Sequence, residues 1–492
     1  MRVLRMGLSM ALAGLALLTS SAAFALAISV TPLTDHPGAN DVKVNGSGFG
    51  ANAAVDIYLD TTDELLVATS SAGAFAKHSL PIPASALPGE HWVTAVERDN
   101  GAAVQKLFTV STPWVEHGFN AKGKRSNPYE NVLNTSNVAN LDLFWTVNTG
   151  TISSSSPAVA NGILYIGTDD GFGDGEFWAV DTATGLVPWL RGLGPFFTSP
   201  AVVKGIVYAG SGDHNVYAFD AATGATLWTA ATGGYVASSP AVANGVVYAG
   251  SGDGKLYALD ASSGSQVWAS AATSGAIISS PAVVNGSIYV GSNNILYSFD
   301  AFFGSPIWTL ATGAQIESSA AVTNGVVYIG SDDKKLYAVD ASSGTILWSA
   351  LTGDVVTSSP AVANGIVYVG SADSKLYAFT AETGTLRWSQ TVGGPIRSSP
   401  AVANGIVYVG SEDTKLYAFN AISGAKLWFT KTGGGIDSSP TISDGVVFVG
   451  SNDHNIYAYA LNGGNNAAYR NRQTTPPSFA SLHPDFRLNL SR

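Results

Sequence analysis

Three charged side chains stand at one recurrent position of this chain. Glu317, Arg397 and Asp437 each occupy the place just ahead of a Ser-Ser pair, and the same place elsewhere holds Ser154, Phe197, Ala237, Ile278 and Thr357. An arginine among carboxylates can close a surface as an ion pair, or it can hold a polar ligand by charge-assisted hydrogen bonds. Glu317, Arg397 and Asp437, with Phe197, Thr357 and Ser154, are therefore the candidate ligand contacts, with a structural ion pair as the competing reading. A second group lies in the Gly-rich run Asp169-Asp170-Gly171-Phe172-Gly173-Asp174-Gly175-Glu176. Asp169, Asp170, Asp174 and Glu176 offer hard oxygen ligands that suit Ca²⁺, although their spacing fits no EF-hand. Asp213-His214-Asn215 and Asp453-His454-Asn455 repeat one triplet that reads as turn chemistry. Nucleophilic catalysis lacks its residues: there is no cysteine, no Gly-x-Ser-x-Gly elbow and no His-Glu-x-x-His helix, and no catalytic residue is assigned.

The elements that position these groups recur along the chain. The Pro (once Ala) after the Ser/Thr-Ser pair falls at Pro157, Pro200, Pro240, Pro281, Ala320, Pro360, Pro400 and Pro440, in steps of 43, 40, 41, 39, 40, 40 and 40 residues. A period near forty with strand-like content is the mark of a propeller. Each unit reads as four antiparallel strands. Strand A (SPAVAN) meets strand B (IVYVG) through Asn-Gly in six of the eight copies, with Lys204 and Asp444 replacing Asn in the other two. Asn-Gly between apolar runs is a hairpin signal because both residues tolerate positive φ. A Ser-x-Asp turn leads into strand C (KLYAF), and Asp-Ala-x-[Ser/Thr]-Gly into strand D. Trp189, Trp228, Trp268, Trp308, Trp348, Trp388 and Trp428 each end a strand D, whereas the eighth unit has none. The missing one is Trp145 in Leu143-Phe144-Trp145-Thr146-Val147, so the N-terminal strand completes the last blade. The recurrent charged position then lies at the mouth of the central channel, which strand A lines.

The flanks are different. Residues 1–27 have a basic start (Arg2, Arg5), an apolar stretch and Ala25-Leu26-Ala27, the pattern of a cleavable secretory signal peptide. Residues 28–112 alternate in short runs with Gly/Pro/Asn punctuation, as in a small antiparallel sandwich. Residues 113–141 read as a linker whose Lys122, Lys124 and Arg125 form a solvated basic face. Residues 142–462 form the propeller, and 463–492 an irregular tail.

The stretch Ala218-Phe219-Asp220-Ala221-Ala222-Thr223-Gly224-Ala225-Thr226-Leu227-Trp228 resembles the tryptophan-docking motif of the pyrroloquinoline quinone (PQQ) repeat propellers. Ala179–Trp189, Ala258–Trp268 and Ala338–Trp348 fit nearly as well, while Thr380 and Asn420 replace the Asp and Ser298 the first Ala. The resemblance implies an eight-bladed propeller in which the eight tryptophans, Trp145 included, are docking residues. PGANDVKVNGSGFGANAAVDIYLD, with PGEHWVTA later, is similar to immunoglobulin-like domains of the IPT/TIG kind, which act as spacers or adhesive units. Quinoprotein dehydrogenases of the repeat family hold the quinone against adjacent cysteines and add Ca²⁺ ligands and a catalytic Asp; this chain has no cysteine and no long insertions. The family also includes BamB, an outer-membrane assembly scaffold without quinone, whose lipoprotein cysteine is likewise missing here.

The formal net charge of −11 argues against nucleic acid and anionic surfaces as partners. The expectation is thus an all-β chain: an immunoglobulin-like β-sandwich followed by an eight-bladed β-propeller of four-stranded antiparallel blades, closed by the N-terminal strand. It is expected to be exported (secreted, extracellular or periplasmic), monomeric and non-catalytic, without a cofactor. It would bind or scaffold other proteins or cell-surface polysaccharide, with no membrane span once mature. The alternative is a PQQ- and Ca²⁺-dependent dehydrogenase oxidising alcohols or sugars. The closure scheme makes one test immediate: deleting residues 142–148 should lower the unfolding temperature strongly by circular dichroism, and a variant that melts like the parent would refute it.

Overall fold

A computed structural model describes residues 25–150, 155–169, 175–192, 194 and 198–464. Most of the signal segment, Ser154, Phe197, Asp170, Asp174 and the tail from 465 on therefore lie outside the described residues. Among the described residues after 140, eight antiparallel sheets, numbered 1–8 from the strand Ala158–Ala160 onward, follow one another, and their inner strands neighbour one another in a closed cycle, the eighth beside the first. Sheet 8 takes its outer strand from Leu141–Asn148, which pairs with Asn455–Leu461, so both ends of the array meet in one sheet. The molecule is an all-β propeller.

What joins sheet to sheet explains the repeated residues. The indole Nε1 of each of the eight docking tryptophans donates to a backbone carbonyl of the following sheet, at 2.9–3.2 Å. At six of these junctions a strand-B tyrosine, such as Tyr208, donates to the same carbonyl. The turn glycine beneath the indole is required twice over. Gly224 has φ +67°, and a Cβ there would stand 2.5 Å from the Trp189 ring. The motif Asp caps its own turn, as Asp220 does by accepting from the amides of Ala222 and Thr223 and the Thr223 hydroxyl.

The serine pairs close the inside. The second residue of each pair donates its backbone N–H to the hydroxyl of its counterpart in the next sheet, from Ser156 to Ser199 and onward until Ser439 donates to Ser156, all at 2.9–3.0 Å. In every sheet but the fourth the first residue's hydroxyl accepts an N–H within its own sheet, as Ser398 does from Gly410. Eight hydrogen bonds therefore form an unbroken belt around the axis.

Residues 27–110 form two sheets, of three and five strands, packed face to face around Val44, Ile57, Val93 and Phe108. This sandwich is clamped to the propeller. Asp444, which replaces the Asn of the repeated A–B turn, accepts from the Thr112 N–H at 2.5 Å and from the hydroxyls of Ser111 and Thr112. Glu130 accepts from Val132, Leu133 and Gly445 N–H and from Thr112. Glu130 is buried and Asp444 partly so, and burial pushes both carboxyls up, with the hydrogen bonds opposing the shift. Asp444→Asn restores the repeat's own turn residue and removes only the charged acceptor. It should cost about 1–2 kcal/mol in urea unfolding; an unchanged midpoint would mean that the clamp contributes nothing.

Candidate functional site

The inner strands are only three residues long, and each has one edge paired within its sheet and the other facing the axis. Those axial N–H groups need acceptors, because unpaired backbone donors away from water are costly. The segment 114–127 supplies them. Val159 N–H donates to Trp114 O, Val202 to Val115 O, Val283 to Ala121 O, Val322 to Lys122 O, Val362 to Lys124 O and Val402 to Arg125 O. At sheet 3 the Glu116 carboxyl takes the Val242 N–H instead. At sheet 8 the Asn127 amide donates to Ile442 O. The segment thus circles the axis once, meeting sheets 1 to 8 in order, and closes the A–B end of the channel. The linker expected for 113–141 is in this part a collar built into the propeller.

The collar corrects the reading of its basic residues as well. Lys122 is exposed and Lys124 partly so, but Arg125 is only 1% exposed. Its Nε donates to Pro400 O at 2.9 Å and Nη2 to Pro440 O at 3.4 Å, Nη1 donates to His117 O, and the guanidinium lies 5.7 Å from the centre of the Trp114 ring. Carbonyl dipoles and an aromatic face, not water, solvate this cation. Burial lowers its pKa to about 9. Burial, with Arg125 adding to it, lowers His117 to about 3, and burial raises Glu116 to about 8 against the Val242 hydrogen bond. Glu116, His117, Asn120 and Arg125 border a cavity of about 20 Å³ against the serine belt, room for one water. The tight inner turn depends on Gly123, at φ +68°, whose Cβ would lie 2.3 Å from Ala320 O.

The opposite end is the open mouth. Glu317 and Arg397 are exposed and Thr357, Asp437, Ala237 and Ile278 partly so, while the serines that follow them are buried or nearly so. Arg397 pairs with Glu412, from the B–C loop of its own sheet, and not with Asp437. Asp437 accepts from the Asn452 amide at 2.9 Å. The hydrogen bond that Arg397 donates to Glu412 is the main cause that holds its pKa up, with Asp437 and Glu317 adding to it. Burial and then Glu317 and Asp333 push the Asp332 carboxyl up. Among its described residues the mouth therefore sets Arg397 within four carboxylates, Glu317, Asp332, Glu412 and Asp437. Of the acidic loop, Asp169 ends one strand opposite Gly175, and Glu176 sits in the next opposite Thr168. Among the described residues no three His, Asp or Glu side chains are placed to hold a metal ion. His214 and His454 take left-handed φ of 75° and 71°, and their carbonyls accept from Thr232 and Thr149, so the repeated triplet is a turn.

Sequence reasoning passed over Glu116, His117, Glu412 and Asp332. Glu412 and Asp332 occupy the variable first place of the Ser-x-Asp turn and could have been found there. Glu116 and His117 carried no repeat signal.

Comparisons with known proteins agree with this architecture. The family described as outer membrane protein assembly factor BamB matches residues 134–291, 212–320, 292–399 and 381–482. A quinone-dependent alcohol dehydrogenase subunit of Gluconobacter oxydans (strain 621H) is 28% identical over 156 residues, 28% of this chain and 20% of that protein, so the match spans a fifth of its length. Among solved structures, a europium-containing methanol dehydrogenase superposes with a TM-score of 0.62 at 13% identity, over 71% of this chain and 98% of the other. BamB from Moraxella catarrhalis gives 0.57 at 17%, over 65% and 99%. At such identities the structures share the fold.

Glu116 makes the collar titratable. Its carboxyl holds its proton to about pH 8 when folded against about 4.5 when exposed, so stability is lost as the pH rises through that window. Glu116→Gln keeps an acceptor for Val242 and cannot ionise. The variant should gain a few kcal/mol on the parent between pH 5 and pH 8 in urea unfolding; parallel pH profiles would refute the assignment.

Proposed function

The chain belongs to the BamB repeat family, and on that premise we propose that it is an exported, non-catalytic eight-bladed propeller that binds or scaffolds other molecules through its open mouth. One observation carries the reading: most of the repeats' polar side chains are committed to holding the sheets together. The serines form the belt. Asp333, Asp373, Asp413 and Asp453 each accept from their own sheet's tyrosine hydroxyl and from a glycine N–H of the preceding sheet. With the collar across the other end, a partner meets Glu317, Thr357, Arg397 and Asp437, together with Ser154 and Phe197. Other proteins or a cell-surface polysaccharide suit this polar rim. The sandwich is read as an immunoglobulin-like module that sets the propeller's stand-off, and the signal segment as the export device. Among the described residues no helix is long and apolar enough to cross a membrane.

The curated relative, a quinone-dependent dehydrogenase subunit, favours a second reading, a PQQ- and Ca²⁺-dependent dehydrogenase. The residues present do not fit that group. The chain has no cysteine for a vicinal pair, and the described mouth carboxylates are not placed as a cation's ligand set. No reaction step is therefore assigned.

Two measurements decide between the readings. Titration calorimetry with PQQ and Ca²⁺, followed by dye-linked oxidation of alcohols and sugars, should give neither heat nor turnover; micromolar binding with turnover would replace the first reading by the second. Retention on polysaccharide resin should be lost on Arg397→Ala, an exposed substitution expected to change stability by less than about 0.5 kcal/mol. Retention that survives the substitution would remove the mouth from the reading.

A further inference from the structure

The propeller's rim is divided by charge. The outer strands of sheets 2, 3, 4 and 5, Thr226–Ala231, Gln266–Ala269, Pro306–Ala311 and Ile346–Leu351, contain no charged residue. Those of sheets 6, 7, 8 and 1 carry Arg387, Lys426 and Lys431, Asp142, and Arg191. Folded proteins guard exposed strand edges with charge, and the uncharged half of this rim lacks that guard.

At the centre of the uncharged half, one turn breaks its own rule. In six C–D turns the hydroxyl of Thr184, Thr223, Ser263, Ser343, Thr383 or Ser423 accepts the N–H two residues on. Sheet 4 has Phe302-Phe303 there. Asp300 still caps the two phenylalanine amides, but the hydroxyl is gone, and the rings are 70% and 80% exposed. A local loss without local gain marks a functional position. Two phenyls at that exposure present on the order of 300 Å², already at the scale of an interaction patch. Ile307, Ile346 and Leu347 are about half-exposed beside them and Leu351 is 70% exposed. Sheets 4 and 5 adjoin at this level, where Trp308, next to Ile307, packs on Gly344, two residues before Ile346.

We propose that the rim of sheets 4 and 5 is where a second copy of this chain docks, in place of the monomer expected from the sequence. The charge division selects the occupant. In a two-fold contact each residue near the axis meets its own copy, so the charged half of the rim sets like charges against each other, which destabilises strand pairing. In a chain of net charge −11, the uncharged half lets two copies meet without that cost. Edge strands such as Ile346–Leu351 can then pair antiparallel across the axis, with Phe302 and Phe303 covering the ends. A stable pair needs about 800 Å² from each partner; the six apolar side chains form the centre of such a face and the strand edges its surround. The inference is independent of what the mouth binds.

Sedimentation velocity of the purified full chain, from about 1 to 300 µM, should show a concentration-dependent doubling of mass that is unchanged between 0.1 and 1 M salt. Phe303→Asp with Leu347→Lys should weaken association at least tenfold without lowering the unfolding temperature, and Leu386→Lys on the charged half should leave it intact. A monomer at every concentration, a dimer that dissociates in high salt, or one that survives the double substitution would each overturn the proposal.

Discussion

The structure depends on satisfying the axial edge of eight very short inner strands. Most sheets leave an edge to water or cover it with another element. Here the edges converge on one axis, so their donors and acceptors must be met from within the ring. Two devices share the task. The serine belt joins each inner strand to the next with one hydrogen bond per junction and returns to its start. The collar then runs once around the axis, accepting an N–H from each of sheets 1 to 7 in turn and donating to Ile442 O at sheet 8. Neither device works on an open arc, because a belt with a missing member leaves both a donor and an acceptor unpaired. Closure of the ring and saturation of its inner wall are one requirement.

The outside of the ring is held by a different and more local rule. Indole and phenol converge on a single carbonyl of the next sheet, and the turn that presents that carbonyl must be glycine where the ring lies on it. The rule is interrupted where the chain's two ends meet. Sheet 8 has Phe448 where the other sheets have tyrosine, and Trp428 bonds to Leu141 O at the start of the closing strand. The Tyr408 hydroxyl, at the same junction, has no hydrogen-bond partner. The two junctions of sheet 8 therefore lack the tyrosine hydrogen bond that the other six have, and the clamp formed by Asp444, Glu130 and Thr112 is attached to this same sheet. The sandwich reinforces the ring where its own repeat chemistry is poorest.

What the sequence disclosed follows from repetition. The A–B turns, the docking tryptophans and the strand contributed by Leu141–Asn148 were legible because seven or eight copies of one residue in one register require a structural unit repeated as often. The serine pair was visible, but its role was not, since a hydrogen bond between residues forty apart has no local signature. The collar was illegible for a related reason. Its contacts are made by backbone carbonyls, which any residue supplies, so 114–127 shows no periodicity and its Arg125 looks like any solvated base. Asp444 stood out as a departure from Asn, yet nothing in the chain says that its acceptor faces Thr112 of another domain. At the mouth, the position ahead of the serine pair is legible, but nothing in the sequence says which carboxylate Arg397 meets. The pairing with Glu412 needed the geometry of the B–C loop.

The departures from the repeat are accordingly where function can be sought, and they fall into two classes. Asp444 and the Phe448 seam serve the architecture: each replaces a repeat residue where another segment of the same chain arrives. Glu317, Arg397, Asp437 and the pair Phe302-Phe303 have no such segment beside them among the described residues. Arg397 is exposed, and Phe302 and Phe303 give up a turn hydrogen bond for contact with solvent. A residue that departs from a repeat where no other segment arrives, and whose contacts stay within its own sheet as those of Arg397 and Asp437 do, is where a partner from outside can be sought. The mouth, polar and charged, and the rim of sheets 4 and 5, whose outer strands carry no charge, are chemically unlike. One surface cannot serve the partner of the other, and a chain with no catalytic constellation among its described residues can still hold two different partners in a fixed relation.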